Sequence, residues 1–588
     1  YVNFKRVVWH KAFAKLLESI SLLSKTGYAH KCYDKVLRYL FPLILILSAD
    51  YEEQCVMALI RGFGGKCPCP VCLVPEDELF DHSKTHPLRT IDGVQELLAL
   101  YDQDRAAGEE LLKKQGLRPI ANVFFTIAHS DPFRALSFDI LHAFHLGLFG
   151  RHLFSILKQL LKDLGREAEQ KFDDAFAAFP RWRNLNHFSS ATNKNFTDGN
   201  KFQDISKQVI YAAQHIFDRK KQPVGYHLLR CIASYLQLDM YLSMDVHTET
   251  TIRSGELELL VFQRRLEEYI EVSGDEYAKN WKFPKNHAGK HSFRDVLAKG
   301  AARNFTTRVN EKHHDPIKKT YKLQTNGKEI AGQVLRIDHE TFTGQAIRAR
   351  IDALDEDHRR RILSESEPED DESDDRPFDL EQHHHLGAAQ KPISLQDLEA
   401  AHHHDRAFKD FRKKLVPFIN NHFQVYGIPL ANWLILRVHD EIEEHRYLKL
   451  HYESLMDWRL ATDHLRCSPS FHGHPRNDCV LARVLDRDVE KLIFARILSM
   501  FVFKHDGRSH HFALILAFDK VAGPQRQSDL ELGLTRIRAR LSAMSEFVPI
   551  ASFVRGALIV PDFDRPGDHF VVDTIDADMF LRVPKLNQ

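Results

Sequence analysis

The stretch Leu43–Cys72 constrains the fold of this chain more than any other. It begins with an unbroken apolar run, Leu43–Leu47, which is too short for a helix and predicts a buried strand. Asp50 follows where this run ends, and the next residues repeat apolar positions at the spacing of one helical face. The stretch closes with CPCPVC, which holds three thiols in six residues. A strand that ends in an aspartate, followed by a helix and a cysteine cluster, suggests a carboxylate metal site beside a zinc site.

Length, charge and cysteine usage exclude several classes of protein. The 588 residues are enough for three or four domains, and the formal net charge of zero gives no overall field toward nucleic acid or membrane. Any DNA-binding surface must therefore be local. Only three of the eight cysteines cluster, which favours a reducing compartment and one metal site over a disulfide framework. Because no apolar run reaches about 18 residues and no signal peptide is evident, we expect a soluble intracellular protein with no membrane partner.

Helical periodicity dominates the first half of the chain. Residues 5–25 predict an amphipathic helix, and residues 91–115 predict another. Residues 117–161 pass from extended segments into a long helix, and residues 166–272 hold several more, so the middle of the chain is expected to be all-α. Residues 281–322 are the basic part, with eleven lysines and arginines against three acids.

The second half shows an abrupt change in composition. Ser364–Asp375 carries eight acids and no base, and the histidine triplets His383–His385 and His402–His404 follow it. Such a charge block cannot bury enough surface to fold, so it predicts a linker. Residues 407–424 have a helical pattern. From about residue 478 onward, short β-rich segments separated by Gly, Pro and Asp predict a small antiparallel barrel or sandwich.

Several motifs that occur in one order resemble a known family. They are SADYEEQ, RGFGGKCPCPVCLVP, SDPFRALSFDILHAFHLGLFG, NEKHHDPIKKTYKLQTN and, near the end, FVVDTIDADMFLRV. Together they resemble the transposases of fungal Plavaka elements, which belong to the Kyakuja–Dileera–Zisupton group and are related to the CACTA-type cut-and-paste transposases. The resemblance runs from residue 1 to the last motif. The order of the motifs makes it far more specific than any single motif.

The resemblance implies an RNase H-like nuclease core, in which three acidic residues hold two Mg²⁺ (or Mn²⁺) ions for phosphodiester attack. Asp50 matches the second acid, because it ends a predicted strand before a helix, and Glu311 matches the third. Without the resemblance, these two would be a turn aspartate and an ordinary helix acid. The first acid of the family lies upstream of Tyr1. We therefore expect an N-terminally truncated chain, a fragment or a decayed copy, with an incomplete core.

The cysteine cluster predicts a zinc site. Cys69 and Cys72 form a CxxC knuckle, and tetrahedral zinc needs two further nitrogen or sulfur ligands. The local candidates are Cys67, His82 and His86. A turn with unmetallated thiols and surface histidines is the alternative to a metal site.

A more distant pair, His287 and His291, fits the spacing of related recombinases. In these proteins, which include the catalytic subunit of the V(D)J recombinase, a CxxC follows the second acid by about twenty residues, and a histidine pair precedes the third acid by about twenty. Here Cys69 lies 19 residues after Asp50, and His291 lies 20 residues before Glu311. The double match favours the CxxC knuckle and this histidine pair as the zinc ligands, which would staple both flanks of the helical middle to the nuclease core.

Further site candidates lie outside the predicted metal sites. Asp139 and His142 resemble the C/D(2)H motif of these superfamilies, in which the histidine would contact the scissile phosphate or a flipped-out base; a helix-capping aspartate with a packed histidine is the alternative. Arg181, Trp182 and Arg183 combine cations with an aromatic ring, as unpaired DNA requires, although a core tryptophan between solvated arginines is the alternative. The remaining candidates for DNA contacts are Arg303, Arg308, Lys312, Lys318 and Lys319.

The predicted fold class is α/β plus α, with an incomplete RNase H-like core that a large all-α insertion interrupts. The first part of the core is expected at 1–75, the helical insertion at 76–280 and the last part of the core at 281–345. An acidic and His-rich linker at 346–406 leads to a C-terminal domain at 407–588, a helix followed by a β-rich region.

The resemblance implies a DDE/D-type transposase. Such an enzyme cleaves DNA and transfers strands by two-metal-ion catalysis. Its partners would be transposon terminal inverted repeats and target DNA, and it would act in the nucleus as a homo-oligomer. Without the first acid, this chain alone is expected to be inactive. The alternative is a catalytically inactive, domesticated or degenerate nuclear DNA-binding or scaffold protein. A zinc-braced interaction module without a DNA role is disfavoured by the basic segment 281–322.

Overall fold

The computed structural model of the protein describes residues 1–193, 198–275, 277, 279–364, 383–429, 432–486 and 489–586. The chain divides into two units. The first combines Tyr1–Phe305 with Leu380–Gln588, and the second is Thr306–Asp379. Most of the acidic block predicted as a linker, residues 365–382, lies outside the described residues.

Helices form most of the first unit up to Phe305, as the periodicity predicted. In chain order they are α1 (Val2–Leu16), α2 (Glu18–Thr26), α3 (Tyr51–Met57), α4 (Ile91–Gln103), α5 (Arg105–Lys114), α6 (Pro132–Ala135), a π-helix (Ile140–Leu153), α7 (Phe154–Leu164), α8 (Arg166–Ala178), α9 (Gly199–Ala213), α10 (Pro223–Leu242), α11 (Glu249–Ser273), α12 (Pro284–Ala288) and α13 (Ser292–Lys299). Short 3₁₀ turns at Val123–Thr126, Gly289–His291 and Ala302–Asn304 connect some of them.

Two predicted helices are each divided by a break in the pattern. The helix predicted at 5–25 is α1 followed by α2, which meet at Leu17. The helix predicted at 91–115 is α4 followed by α5. Asp104 causes this second break, because its carboxylate accepts hydrogen bonds from the N–H groups of Ala106 and Ala107 and so starts a new helix.

The strand predicted at Leu43–Leu47 was wrong. Residues 43–46 are extended but belong to no strand, and Leu43 and Leu45 are 51% and 58% exposed. Only Leu47 forms a bridge, parallel to Leu136, with its N–H donating to the carbonyl of Ala135 at 2.8 Å. An apolar run becomes a buried strand only where neighbouring backbone can pair along its length, and this segment has one such contact among the described residues.

The longest apolar helical stretch lies at the centre of the helical region. Ile140–Leu164 is long and apolar enough to cross a membrane by length and composition, but 67% of its most apolar window is buried inside the protein. Its first part is the π-helix, whose Phe144 and Phe149 stack on Tyr235 of α10 at centroid distances of 4.3 and 5.2 Å. These contacts are those of a core helix.

The described part of the second unit, residues 306–364, contains two helices. They are α14 (Arg308–Gln324) and α15 (Ile330–Ser364). No side chain of α14 is buried. Pro316 lies inside this helix. The range predicted as a linker, 346–406, therefore includes the end of α15.

The C-terminal part of the first unit is rich in strands. Four helices, α16 (Leu395–Ala401), α17 (Phe411–Val425), α18 (Gln527–Leu532) and α19 (Ala577–Leu586), accompany them. Counting the hairpin that precedes α3, the strands are β1 (Tyr28–Lys31), β2 (Leu37–Leu40), β3 (His384–Leu386), β4 (Ile393–Ser394), β5 (Glu441–His445), β6 (Tyr447–Glu453), β7 (Leu460–Phe471), β8 (His474–Asn477), β9 (Cys479–Asp486), β10 (Val489–His505), β11 (Arg508–Lys520), β12 (Thr535–Ala539), β13 (Glu546–Pro549), β14 (Phe553–Ala557), β15 (Ile559–Pro561) and β16 (Asp568–Val571). Further 3₁₀ turns lie at Arg406–Phe408, Ser542–Met544, Ile550–Ser552 and Asp573–Ile575.

The strands pair antiparallel, as predicted for the β-rich region. One sheet runs in the order β14-β9-β10-β11-β12-β16-β15, with β13 beside β11, β5 beside β10 and β4 beside β5. A second sheet has the order β3-β6-β7-β8. The register of the long β10–β11 hairpin places Phe501 opposite Phe512, and both rings are buried.

The histidine triplets predicted as linker lie within ordered elements. His383 is buried, and its Nε2–H donates to the carbonyl of Phe553 at 3.1 Å. His384 belongs to β3 and pairs with Leu450 of β6. His402 ends α16 and stacks on Phe408 at 3.9 Å. Each triplet thus supplies packing and backbone pairing that its repetitive composition did not reveal.

The β-rich part and the helical part share one core. Buried side chains of β12, β15 and β16 belong to the same hydrophobic cluster as those of α7 to α11, and the rings of Tyr211 and Phe570 lie 6.0 Å apart. The predicted boundaries at 75/76, 280/281, 345/346 and 406/407 stay predictions. So does the RNase H-like core, since among the described residues of 1–75 the only strands are the paired β1 and β2.

A buried arginine ties the C-terminal motif to the sheet. Arg555 of β14 is fully buried and pairs with Asp576 at 2.8 Å and Asp578 at 2.5 Å. Its guanidinium carbon also lies 4.6 Å from the ring centroid of Tyr452. These charge-assisted contacts fix the start of α19 against β6 and β14.

The close packing of α11 against α13 gives a testable prediction. A Cβ at Gly255 of α11 would lie 2.1 Å from Cζ of the buried Phe293 in α13. Gly255→Ala should therefore lower the free energy of unfolding by about 1–3 kcal/mol, although alanine favours helix by about 1 kcal/mol. Urea denaturation followed by circular dichroism measures this change.

Gly344→Ala is the matched control, because Gly344 is also helical and a Cβ there meets nothing within 4 Å. This control should leave stability unchanged or raise it. Equal stability of the two variants would contradict the tight contact between α11 and α13.

Candidate metal centre and neighbouring acidic site

The cysteine knuckle lies in a loop that the backbone holds on two sides. Gly62 and Gly64 have φ angles of 75° and 84°, a conformation that suits glycine, and they turn the chain after α3. The following loop pairs with the backbone of residues 87–89 through hydrogen bonds of 2.9 and 3.0 Å. As a result, Cys69 and Cys72 are both buried.

A buried arginine that the sequence analysis missed also holds this loop. Arg89 donates three hydrogen bonds to carbonyl oxygens, those of Cys67 at 2.8 Å, Cys69 at 2.9 Å and Gln115 at 2.9 Å. Burial lowers the pKa of Arg89, while the nearby thiols, Cys69 foremost, raise it. One arginine in a polar loop has no periodicity and no ligand spacing, so no sequence signal marked it.

Four buried side chains converge on one point, and they are the set that the spacing favoured. The ligand atoms of Cys69, Cys72, His287 and His291 all lie within 4.8 Å of one another. Cys69 Sγ is 3.4 Å from His291 Nε2, and Cys72 Sγ is 3.2 Å from His287 Nε2. His287 belongs to α12, and His291 ends the 3₁₀ turn that follows.

The donor set of this Cys2His2 cluster fits zinc. Zinc takes thiolate sulfur at about 2.3 Å and imidazole nitrogen at about 2.0–2.1 Å, so tetrahedral S and N ligands lie about 3.5 Å apart. The two S–N separations given above are close to that value. The cluster is buried and holds four protein donors, which is the composition of a structural rather than a catalytic zinc site.

The local alternatives lie outside the cluster. Cys67 Sγ faces the carbonyl of Lys114 at 3.4 Å, and His86 Nε2 lies 3.4 Å from the carboxylate of Glu78. Burial lowers the pKa of His82 to about 3, so this side chain is neutral. Among the described residues, the Cys2His2 cluster is the only group of at least three such ligands at metal-binding distance.

The pKa values of the two thiols shift in opposite directions. Burial by itself raises the pKa of Cys69, but hydrogen bonds from Cys72 and the histidines, with the charge of His291, bring that pKa well below its ordinary value. The pKa of Cys72 is raised because it donates to Cys69 and is buried. Zinc binding therefore displaces a proton from Cys72, which makes zinc affinity fall as the pH falls.

Two aspartates end neighbouring parallel segments beside this cluster. The parallel bridge between Leu47 and Leu136 lies three residues before Asp50 and three before Asp139. Each aspartate caps the helix that follows it: Asp50 Oδ1 accepts from the N–H of Glu53 at 2.9 Å, and Asp139 accepts two backbone N–H groups of the π-helix. Both predicted acids are therefore at the same end of adjacent segments.

A glutamine joins these two segments. Gln54 Nε2 donates to the carbonyl oxygens of Ala49 and Ser137 at 2.9 and 2.8 Å, one on each segment. Gln54 is buried on the inner face of α3. It belongs to the motif SADYEEQ, but nothing in the sequence singles it out. Its partners are backbone carbonyls, and one of them, that of Ser137, lies 83 residues further along the chain.

Asp139 also orients His142. The Asp139 carboxylate lies 2.6 Å from His142 Nδ1, and Asp139 is buried whereas His142 is partly exposed. A carboxylate on Nδ1 fixes the orientation of the ring and its tautomer. The helix-capping alternative for Asp139 is thus realised together with the aspartate–histidine pair.

The charge of Lys285 in α12 interacts with both aspartates. Burial lowers its pKa, and the charge of Arg151 lowers it further, while the carboxylates of Asp50, Asp139 and Glu52 raise it. Gly147 permits the approach of this lysine, because a Cβ there would lie 2.8 Å from Lys285 Cδ. The sequence analysis counted Lys285 only in the net charge of the basic segment.

Glu311 and most of the predicted basic residues lie in the second unit. Glu311 is an exposed residue of α14, 4.0 Å from His314 Nε2 across one helical turn. Lys319 pairs with Asp315 at 2.7 Å on the same helix. The other predicted residues of this helix are Arg308, Lys312 and Lys318. Their roles in metal and DNA binding stay predictions.

The predicted DNA-binding residues of the first unit have different surroundings. Arg303 is exposed and pairs with Asp245 at 3.0 Å. Arg181 and Arg183 are exposed, whereas Trp182 is partly buried and packs against the core. The indole reaches the backbone of β14, since a Cβ at Gly556 would lie 2.8 Å from Trp182 Cη2. These contacts are those of a core tryptophan between solvated arginines, the alternative stated for this motif.

Comparison with known families supports the resemblance over the first quarter of the chain. Residues 1–157 match the family model described as Plavaka transposase. The matched segment includes the cysteine knuckle and the aspartates at both segment ends. No curated protein matches the chain.

Zinc binding provides a direct prediction. Purified protein should contain about one zinc per chain, and Cys69→Ser should reduce that content and destabilise the fold by several kcal/mol, because structural zinc contributes to folding free energy. Inductively coupled plasma mass spectrometry gives the zinc content, and thermal melting gives the stability.

Cys67→Ser is the matched control, two residues away and outside the cluster. It should retain the zinc. Full zinc content in Cys69→Ser, or zinc loss in Cys67→Ser, would refute the assigned ligand set.

Proposed function

We propose that this chain, whose first 157 residues match the Plavaka transposase family, carries the second and third acids of a transposase that cuts and joins DNA by DDE/D chemistry. The single observation that carries this proposal is the pairing of the segments that end in Asp50 and Asp139, which places the proposed metal ligand Asp50 and the Asp139–His142 pair at the same end of parallel neighbours. Two-metal catalysis of phosphodiester attack needs carboxylate ligands close to the groups that contact the phosphate. The substrates proposed are the terminal inverted repeats of a transposon and its target DNA.

Asp50 and Glu311 are proposed as carboxylate ligands for Mg²⁺ or Mn²⁺. Carboxylate oxygens are the donors that these hard cations prefer. Asp50 uses Oδ1 to cap α3, which leaves Oδ2 for a cation. When bound, the cations activate a water or a 3′-hydroxyl and stabilise the leaving oxygen.

Asp139 and His142 are proposed to act on the DNA rather than on the metal. Since Asp139 orients His142 through Nδ1, the ring is proposed to contact the scissile phosphate or a flipped-out base. Lys285, whose charge interacts with both aspartates, supplies a positive charge for the same phosphate.

The Cys2His2 cluster is proposed to be a structural zinc site that holds the elements around Asp50 and Asp139 in place. It joins the loop after α3 to α12 and the turn behind it, and α12 carries Lys285. Zinc would therefore fix the position of Lys285 against Asp50 and Asp139 without taking part in the reaction. Nuclear localisation and a homo-oligomeric state belong to the same proposal.

A second candidate function is DNA binding without cleavage. The observation that favours it is the capping role of Asp50, which gives the residue a purely structural reason to be an aspartate. In that case the chain would be a nuclear DNA-binding or scaffold protein that retains the zinc-braced fold.

Asp50→Asn separates the two roles of this residue, because asparagine caps a helix as well as aspartate but provides no anionic ligand. In the longest reading frame that contains this chain, Asp50→Asn and Glu311→Gln should each abolish Mg²⁺-dependent cleavage of terminal-repeat DNA. Both variants should keep DNA binding within about twofold. Gel-based cleavage and anisotropy-based binding measure the two properties.

Glu53→Gln is the control, because Glu53 lies in the first turn of α3 and only its backbone N–H donates to Asp50. It should cleave like the wild-type protein. Normal cleavage by Asp50→Asn would refute the metal-ligand role. Absence of cleavage in the wild-type protein together with tight DNA binding would favour the second candidate.

A further inference from the structure

A cavity of about 620 Å³ is lined in part by Tyr51 and Glu52, the two residues that follow Asp50. Four parts of the chain line it: the start of α1, the residues from α3 to Phe63, the π-helix, and residues 280–285 before and within α12. All belong to the first unit. None of the residues predicted from the sequence to contact DNA lies in its wall.

The wall of this cavity is strongly basic. Its cations are Arg6, Arg61, Arg151, Lys282 and Lys285, and Glu52 is the only carboxylate among the lining residues. These cations are spread over about 280 residues of sequence, and only Lys282 and Lys285 belong to the basic segment 281–322. The chain as a whole has no net charge, so this concentration is a local property.

Most of these cations form no ion pair within the part of the chain that the structure describes. Arg61 pairs with Glu109 at 2.7 Å. Arg6, Arg151, Lys282 and Lys285 form no ion pair with the described residues, and Nε of Arg6 is buried without a hydrogen-bond partner among them. Clustered cations repel one another, and a buried unpaired donor costs free energy, so an anion bound in the cavity would stabilise the arrangement.

The cavity also has aromatic surfaces. Phe63 is 78% exposed at its mouth, between the two glycines that turn the chain after α3. Deeper in the wall, His152 stacks on Phe283 at a centroid distance of 4.0 Å and an interplanar angle of 13°. Burial lowers the pKa of His152 to about 4, and the charges of Lys279, Lys285 and Arg151 lower it further, so this ring is neutral.

We propose that this cavity binds a segment of single-stranded DNA. Its phosphates contact Arg6, Arg151, Lys282 and Lys285, and an unpaired base stacks on Phe63. A basic wall with an exposed aromatic ring is the composition of single-strand sites, in which stacking adds to phosphate contacts. The proposal rests on the proposed function in one respect, since the cavity adjoins Asp50 and would hold the strand that is cut or transferred.

The test compares two double variants of equal charge change. Arg151→Glu with Lys282→Glu reverses two exposed cations of the cavity, and Lys162→Glu with Arg166→Glu reverses two exposed cations of α7 and α8 outside it. Binding of a fluorescent 20-nucleotide single strand is measured by anisotropy without Mg²⁺, over a range of salt concentrations. Zinc content and melting temperature confirm that each variant is folded.

The cavity variant should bind at least about tenfold more weakly, and its salt dependence should flatten by about 1.4 logarithmic units per decade of salt, since each phosphate contact on a single strand contributes about 0.7. The control variant should change by less than about twofold. Equal losses in both variants would overturn the proposal. If the charge reversals unfold the protein, Arg151→Gln with Lys282→Gln carries the same test.

Phe63→Ala tests the preference for unpaired DNA. It should weaken single-strand binding about tenfold, because stacking on one ring contributes that much, and leave duplex binding nearly unchanged. Equal losses for single strand and duplex, or no loss for the single strand, would overturn the stacking role. These experiments measure binding and not cleavage. If the protein never cleaves DNA, the proposed chemistry is refuted, and the binding results alone decide whether the cavity binds single-stranded DNA.

Discussion

The packing of two thiols against two imidazoles is the contact on which the functional region depends. Cys69 and Cys72 are held by a glycine turn, by backbone pairing with residues 87–89 and by the buried Arg89. The histidines come from α12 and the turn after it, more than 200 residues later. This contact positions α12, and with it Lys285, relative to the loop that follows α3.

The carboxylates that cap two helices are the ones to which chemical roles are proposed. Asp50 and Asp139 each satisfy the exposed N–H groups of a helix, and the proposed function adds a metal-binding role for Asp50 and a role in orienting His142 for Asp139. Helix N-termini favour negative charge, so the two roles support rather than oppose each other. A residue that caps a helix is therefore not excluded as a metal ligand or as an orienting group for His142.

The four residues of the Cys2His2 cluster could be grouped from the sequence because their spacing from two acids is a one-dimensional signal. It did not find Arg89 or Gln54, whose partners are backbone carbonyls that only the fold brings near. The strand predicted at Leu43–Leu47 failed because an apolar run specifies burial only when neighbouring strands are present.

The antiparallel β-rich region was anticipated from its short apolar segments, since local patterning fixes such strands. Its shared core with α7 to α11 was not, because tertiary packing between distant segments leaves no periodic trace. For the same reason the five cations of the cavity could not be grouped from the sequence.

The separation of the cysteine pair from the histidine pair has a consequence for biosynthesis. The paired ligands lie 215 and 222 positions apart, so at about 5–20 residues per second the ribosome needs roughly 10–40 s to make the second pair after the first. During that interval the nascent knuckle has only half of its ligands. Metal capture must therefore wait until the intervening helices have emerged, and the cell must keep the early thiols reduced until then.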